Sequence, residues 1–163
     1  MTKTSKIKYF FISLALAASV YACERNKNDV IPDRDVNFTM DIIGDIQFNN
    51  LTSIGNHVIV TAQTNNWGYY AAGFNNNGII VYRANFDGMI PEFYACDRTC
   101  PYDYAINDLS VKVNVVAFQA ICPRCSTYYE LSGGGYPSSG PGKYYLKNYK
   151  TSFDGRYLRV WNY

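Results

Sequence analysis

Two stretches with paired cysteines hold most of the information in this sequence. Residues 93–102 are FYACDRTCPY, and residues 116–131 are VAFQAICPRCSTYYEL. Their cysteines are Cys96, Cys100, Cys122 and Cys125. Three residues separate the cysteines of the first pair, two separate those of the second pair, and 21 residues lie between the pairs. Four thiolates at such a spacing can bind Zn²⁺ tetrahedrally, bind iron or an iron–sulfur cluster, or form two disulfides.

The sequence on either side of these stretches is typical of one domain of antiparallel β-strands. Short apolar or alternating runs lie at residues 36–42, 58–60, 79–82, 111–115 and 158–160, and turn-forming residues bound them. Asp87-Gly88 and Asp154-Gly155 each lie between two strand-like segments and predict hairpin turns. We expect one helical turn near residues 65–72, no internal repeat and no second domain.

The N-terminus has the features of a bacterial lipoprotein signal. Residues 1–22 combine a lysine-rich start with an apolar run that is shorter than the about 20 residues of a membrane-spanning helix. The sequence VYAC at residues 20–23 resembles a lipobox, which makes Cys23 the predicted lipidation site. We interpret residues 23–35, which are polar and without periodicity, as a lipidated flexible tether, and residues 36–163 as the folded domain.

The charge and the histidine content exclude several kinds of function. The formal net charge is +2, and removing the three lysines of the signal lowers it to −1, so nucleic acid is not an expected partner. The chain has a single histidine, His57, which excludes a site that needs two imidazoles. There is also no Gly-x-Ser-x-Gly motif of the kind that carries a nucleophilic serine. We expect no enzymatic activity.

Further motifs extend the pattern beyond the cysteines. The sequence FDG at residues 86–88 precedes the first cysteine stretch, SGPG at residues 139–142 follows the second, and FDG recurs at residues 153–155 in a last hairpin. In this order, the chain from about residue 78 to its end resembles the Rieske iron–sulfur domain. The resemblance implies an all-β fold, a small antiparallel sandwich or barrel with a subdomain of cysteine loops.

The resemblance also implies which positions would hold the iron, and there the chain departs from the family. Cys100 and Cys122 match the two cysteine ligands. Tyr102 and Cys125 occupy the positions of the two histidine ligands, so an ordinary Rieske cluster cannot form. We interpret Tyr102 as a degenerate ligand position whose side chain packs in its loop.

Without the cluster, the resemblance implies two facing cysteine loops that disulfides can join. We expect no cofactor and the pairs Cys100–Cys122 and Cys96–Cys125, although the sequence by itself does not choose among the three pairings. Cys96 is additional to the family pattern. The alternative is that the four cysteines together bind Zn²⁺, one iron or an all-cysteine 2Fe–2S cluster.

These features lead to a principal functional hypothesis and two others. The principal one is a non-catalytic accessory or docking subunit of an envelope protein complex, held at the outer membrane by its lipid. Glu24 favours the outer membrane as the location, because inner-membrane lipoproteins usually have Asp directly after the lipidated cysteine. The second hypothesis is an electron-transfer or metal-binding protein that uses the cysteines. The third is glycan binding by the aromatic residues of segment 65–70.

Overall fold

A computed structural model gives the structure of residues 30–87 and 90–162, with side chains described outside residues 85–92. The predicted signal, the lipidation site Cys23 and residues 24–29 of the predicted tether lie outside the described residues. Within the described ranges, no helix combines the length and the apolar character that crossing a membrane requires.

The described chain forms ten strands and one α-helix. In chain order these are β1 (Asn37–Asp41), β2 (His57–Val60), β3 (Ile79–Asp87), β4 (Ile90–Asp97), α1 (Pro101–Asn107), β5 (Asn114–Val116), β6 (Gln119–Ile121), β7 (Tyr128–Glu130), β8 (Tyr136–Ser139), β9 (Asn148–Phe153) and β10 (Tyr157–Trp161). All the strand pairs are antiparallel. The predicted all-β class is therefore confirmed.

A six-stranded sheet in the order β1-β10-β9-β4-β3-β2 forms the base of the domain. The two predicted hairpins are both present, as β3–β4 and β9–β10. Alternation along the outer strands sets which face is buried, because successive side chains of a strand point to opposite sides. Phe38 and Met40 of β1 pair with Val160 and Leu158 of β10, and all four side chains are buried in the larger core.

A second, four-stranded sheet in the order β5-β6-β7-β8 carries the second cysteine pair in the loop between β6 and β7. Its short strands enclose a smaller core that includes Ala120, Tyr129 and Leu131, together with three of the cysteines. Ile80 and Tyr82 of β3 belong to the same core, so this sheet packs on the face of the base. The predicted cysteine-loop subdomain corresponds to this unit.

Short 3₁₀ turns connect β2 to β3, where one helical turn was predicted. Segments Thr64–Asn66 and Gly68–Ala71 are two such turns, with Trp67 between them. The Trp67 ring stacks on Phe38 at 5.0 Å and on Phe48 at 5.6 Å between ring centroids, so Trp67 is a core residue. Tyr69 and Tyr70 remain exposed, and glycan binding by this segment stays a prediction that depends on these two rings.

The packed part of the chain begins earlier than predicted. Ile31 is only 1% exposed, and the Lys147 Nζ donates a hydrogen bond of 2.8 Å to the Ile31 carbonyl oxygen. The same ammonium forms an ion pair of 2.5 Å with Asp33. A flexible tether through residue 35 is therefore wrong for residues 31–35, because burial of Ile31 and the bonds from Lys147 fix this segment to the domain.

Candidate metal centre

The first cysteine loop follows β4 and is anchored by a buried carboxylate. Asp97 ends β4, and its carboxylate accepts hydrogen bonds from the backbone N–H groups of Phe74 (2.6 Å) and Thr99 (2.8 Å) and from the Tyr149 hydroxyl (2.8 Å). Asp97 has no exposed surface, and the three hydrogen-bond donors offset the free-energy cost of removing its carboxylate from water. The backbone that leads to Cys100 is held in place by this arrangement.

Helix α1 places a carboxylate beside Cys100. Cys100 is the N-cap residue, and Pro101 occupies the first helical position, where its missing N–H costs nothing. Asp103 lies in the first turn, three residues after Cys100, so its side chain is on the same side of the helix start. The Asp103 side chain is 1% exposed.

The second cysteine loop is a tight turn with both sulfurs on its inner side. Ser126 N–H bonds to the Cys122 carbonyl at 3.0 Å, Cys122 N–H bonds to the Thr127 carbonyl at 2.9 Å, and Ser126 has a φ of +57°. A hydrogen bond with Cys100 and burial raise the pKa of the Cys122 thiol, and the backbone N–H groups of Cys125 and Arg124 act in the opposite direction. Such N–H groups stabilise a thiolate and are a common feature around metal-bound sulfur.

The structure brings four potential ligands together from these two loops. One donor atom each from Cys100, Asp103, Cys122 and Cys125 lies within 4.8 Å of every other. The Cys100 and Cys125 sulfurs are 3.6 Å apart, and the Cys122 thiol donates to Asp103 Oδ2 at 3.0 Å. These four residues form what we call the Cys₃Asp site.

The spacing of the Cys₃Asp site fits one tetrahedral ion. Zn–S bonds of about 2.3 Å in a tetrahedron put two sulfur ligands about 3.8 Å apart, close to the 3.6 Å between Cys100 and Cys125. A 2Fe–2S cluster has its ligand pairs on two different irons, and the ligands of opposite irons lie much farther apart than those of one ion. With all four donors within 4.8 Å, the residues fit a single ion and do not fit that cluster.

Asp103 is held by partners of its own. Its Oδ1 accepts from Arg124 Nε at 3.1 Å and from Asn107 Nδ2 at 3.3 Å, which leaves Oδ2 toward the sulfurs. Burial raises the pKa of Asp103, but hydrogen bonds from the neighbouring thiols and the Arg124 charge outweigh it and lower the pKa. Asp103 is thus an ionised carboxylate at neutral pH, as a metal ligand must be.

A further layer of side chains orients the sulfurs. The Tyr129 hydroxyl lies 3.4 Å from the Cys100 sulfur, and the Thr127 hydroxyl lies 3.2 Å from the Cys125 sulfur. The backbone N–H of Gly142 in turn donates to the Thr127 hydroxyl at 3.0 Å. The Gly-Pro segment predicted from the family resemblance therefore contacts the site through Thr127, and its close approach requires glycine. A Cβ on Gly140 would be 2.7 Å from the Thr127 Cα.

Cys96 lies outside the Cys₃Asp site. It is in the regular part of β4, opposite Ile80 on one side and Asn148 on the other, and its thiol bonds to Asn148 Oδ1 at 3.3 Å. Burial, with a smaller contribution from Asp97, raises the pKa of Cys96 to about 12. This thiol is a structural core group.

The predicted disulfides are not formed. All four cysteines of the described chain are free thiols, so the expectation of Cys100–Cys122 and Cys96–Cys125 bonds is corrected. The physical reason is the position of Cys96 within the β-ladder, bonded to Asn148, while Cys125 is in contact with Cys100 instead. Cys122 uses its thiol to donate to Asp103.

The carboxylate of the site comes from Asp103, a residue that was not singled out from the sequence. Tyr102, the predicted degenerate ligand position, packs against the smaller core beside the site, and Asp103 supplies the carboxylate. The sequence analysis missed Asp103 because its template came from the Rieske resemblance. The signal that could have found it is the Cys-x₂-Asp spacing, which a first helical turn brings to one side. His57 is in β2, at an edge of the larger sheet.

No protein-family model matches the chain, and no curated protein matches it. The structure is similar to that of a Rieske protein. That protein is the plasma membrane Rieske protein PetC3 from the cyanobacterium Synechocystis PCC 6803, with 19% sequence identity and a TM-score of 0.41 over 64% of this chain and 97% of that chain. The antiparallel ladders and the two-sheet arrangement are seen directly in this chain.

Proposed function

We propose that this protein is an exported, lipid-anchored metal-binding protein whose Rieske-like domain holds one Zn²⁺ ion in the Cys₃Asp site. The observation that carries the proposal is the set of four donor atoms, from two loops, that all lie within 4.8 Å of one another. The ion joins the start of α1 to the β6–β7 loop, which is the structural task of a closed zinc site.

The burial of the site favours a structural ion over a catalytic one. Cys100 and Cys122 have no exposed surface, and Asp103 has almost none. Four protein ligands fill a tetrahedral shell and leave no open position for water or substrate, whereas catalytic zinc keeps one. Three thiolates and a carboxylate carry four negative charges, so a divalent cation and the Arg124 guanidinium both reduce the repulsion within the site.

Iron is the second candidate for the same site. Sulfur-rich tetrahedral sites bind iron as well as zinc, and hydrogen bonds to the sulfurs tune its potential. The observations that favour it are the Tyr129 hydroxyl at the Cys100 sulfur and the Thr127 hydroxyl at the Cys125 sulfur. Iron held by Cys100, Asp103, Cys122 and Cys125 would supply one-electron transfer.

For the biological role, we propose a non-catalytic accessory subunit of an envelope complex at the outer membrane. The predicted lipid on Cys23 concentrates the domain near integral partners, where weak contacts become effective. Val116 and Phe118, both exposed at the β5–β6 turn, offer apolar contact area. Recovery of a defined partner from membranes with the anchor intact supports this role, and recovery of the chain only as a lone monomer contradicts it.

Metal content tests the central proposal. The mature chain is prepared under reducing conditions, freed of metal with a chelator, and titrated with Zn²⁺ and with Co²⁺ as a coloured probe. We expect one ion per chain and Co²⁺ spectra with thiolate charge transfer and tetrahedral d–d bands. Cys96→Ser must keep that stoichiometry, and Cys122→Ser must lose it. Absence of binding by the reduced chain, or binding that depends on Cys96, contradicts the site.

A further inference from the structure

We propose that Cys100 and Cys125 form a disulfide when the Cys₃Asp site holds no metal, so that the two loops are joined either by the ion or by this bond. The inference deepens the proposed function, since it concerns regulation of the same site. It assigns a covalent pair that differs from both bonds expected on the basis of the family resemblance.

The first argument is the contact between the two sulfurs. They are 3.6 Å apart, and a disulfide of about 2.05 Å requires a modest approach of two loops that already touch. Cys122, the third thiol of the site, donates its proton to Asp103 Oδ2 at 3.0 Å. Cys96 is held in the β-ladder by Asn148.

The second argument is the difference in exposure among the three thiols. Cys100 and Cys122 are fully buried, whereas Cys125 is partly exposed. Access is a condition for exchange with an external disulfide, so Cys125 is the residue that such a molecule meets first. Cys100 lies directly behind it and is placed to complete the exchange.

The chemistry balances with a soluble disulfide as the oxidant. The Cys125 thiolate attacks one sulfur of R–S–S–R, which forms a mixed disulfide on Cys125 and releases one RS⁻. The Cys100 thiolate then attacks the Cys125 sulfur, the protein disulfide forms, and a second RS⁻ leaves. Two protein thiols lose two electrons and two protons, and the oxidant gains them as two R–SH molecules. The reaction starts from the metal-free site, and the disulfide then leaves only Cys122 and Asp103 as free ligands.

The exported location gives this exchange its significance. Disulfides form readily in exported proteins, so three adjacent thiols persist there only while something protects them. A bound ion does so, because a coordinated thiolate is not free to attack. The disulfide closes a loop between positions 25 residues apart and links the same segments as the metal, so the fold keeps a cross-link in both states.

Peptide mapping tests the pairing directly, because trypsin separates all four cysteines. The sequence places Cys96 in residues 84–98, Cys100 in 99–112, Cys122 in 113–124 and Cys125 in 125–143. The reduced, metal-free mature chain is treated with oxidised glutathione, remaining thiols are alkylated, and the digest is analysed by mass spectrometry. We expect peptide 99–112 joined to 125–143, with alkylated Cys96 and Cys122. A major cross-link that includes 113–124 or 84–98, or no cross-link, overturns the proposal.

The effect of zinc on the cross-linking rate, measured for wild type and two variants, distinguishes the disulfide proposal from the metal-site proposal on which it rests. Zn²⁺ at about 100 times its dissociation constant should slow the cross-link by at least about tenfold, since only the free site reacts. Asp103→Ala keeps the thiols and loses a ligand, so zinc at the same concentration should slow its cross-linking by no more than about twofold. Cys96→Ser should behave as wild type in both assays. Cross-linking of a chain that binds no zinc contradicts the metal site alone, and zinc binding without the cross-link contradicts the disulfide alone.

Discussion

The Cys122 sulfur lies 3.0 Å from Oδ2 of Asp103, across the gap between the β6–β7 loop and helix α1. This contact joins the two halves of the Cys₃Asp site, since Cys100 and Asp103 come from one loop and Cys122 and Cys125 from the other. A thiol and a carboxylate at this distance can give up one proton and accept a shared ion in its place. The contact is therefore the point at which the start of α1 and the β6–β7 loop meet in the proposed metal site.

Asp103→Asn should reduce zinc affinity strongly. The substitution keeps the shape of the side chain but removes its charge and replaces one acceptor oxygen by an NH₂ group that only donates. We expect a loss of at least about 100-fold, more than the 10–100-fold that is usual for residues that contact a ligand and not the metal. Competition with a chromophoric chelator measures it. Asp108→Asn, at the exposed end of the same helix, is the matched control and should leave the affinity unchanged. Equal affinities for the two variants would remove Asp103 from the ligand set.

Arg124→Ala should weaken zinc binding less than loss of a ligand does. Arg124 bonds to Asp103 at 3.1 Å, but its side chain is 53% exposed, so solvent screens part of its effect. We expect a decrease in zinc affinity of about threefold to tenfold, which is at or below the low end of the 10–100-fold usual for residues that bond to a metal ligand. We also expect faster release of zinc in stopped-flow chelation. Arg159→Ala, on the larger sheet next to Asn37, is the control. A stronger effect from Arg159 than from Arg124 would contradict the role of the Asp103–Arg124 pair.

Removal of the metal should lower the thermal stability. A ligand present at 1,000 times its dissociation constant adds about 4 kcal/mol, which raises Tm by at least about 8 °C in a domain of this size. Calorimetry of the reduced chain, with zinc and with a chelator, measures the difference. The Cys122→Ser variant should show no zinc-dependent shift. A similar shift in this variant would place the stabilising ion elsewhere.

Gly140→Ala should destabilise the loop that contacts Thr127. Gly140 has a φ of +91°, and an added Cβ would be 2.7 Å from the Thr127 Cα, which is backbone and cannot move aside easily. Gly155→Ala is a matched control, because Gly155 also has a positive φ of +104° but open space around it. We expect a loss of about 2–4 kcal/mol for the first and about 1–2 kcal/mol for the second by chemical denaturation. Equal losses would mean that only the backbone angle matters.

The Asp41–Arg156 pair should make stability depend on pH in the acid range. A hydrogen bond from Arg156, with further help from the Gly44 N–H, lowers the pKa of Asp41 from 3.8 to about 2. The contribution of the pair is therefore complete above about pH 5 and is lost as the pH falls toward about 2.

Thermal melts of wild type and Asp41→Asn measure this contribution. Their Tm difference should be constant at neutral pH and should shrink between about pH 4 and about pH 2. Asp108→Asn removes a carboxylate without an arginine partner and should show no such change. A difference between wild type and Asp41→Asn that persists at the acid end would show that Asp41 acts through its shape and not through its charge.

The sequence by itself determined the fold class, the two hairpins and the region of the site. These depend on local information. Apolar residues at every second position, such as Phe38 and Met40, predict a strand with one buried face. Asp154-Gly155 predicts a tight turn, and this prediction does not depend on the rest of the chain. The same holds for the inference that an ordinary Rieske cluster is impossible, since it needs only the count and position of the histidine.

Only the tertiary structure decided which groups meet at the site. Cys96 lies one residue before the end of β4, and Asp103 lies two residues after the start of α1. The spacing of the sequence does not reveal this boundary. Asn148 from β9 holds Cys96 in the ladder, while the turn of α1 carries Asp103 to the sulfurs of a loop about twenty residues away. Contacts between distant segments depend on how the two sheets pack, and that packing is a property of the whole chain. For this reason Cys96, which was predicted to pair with Cys125 or, in the alternative, to bind a metal with the other three cysteines, lies in the core, and Asp103 is the fourth member of the site.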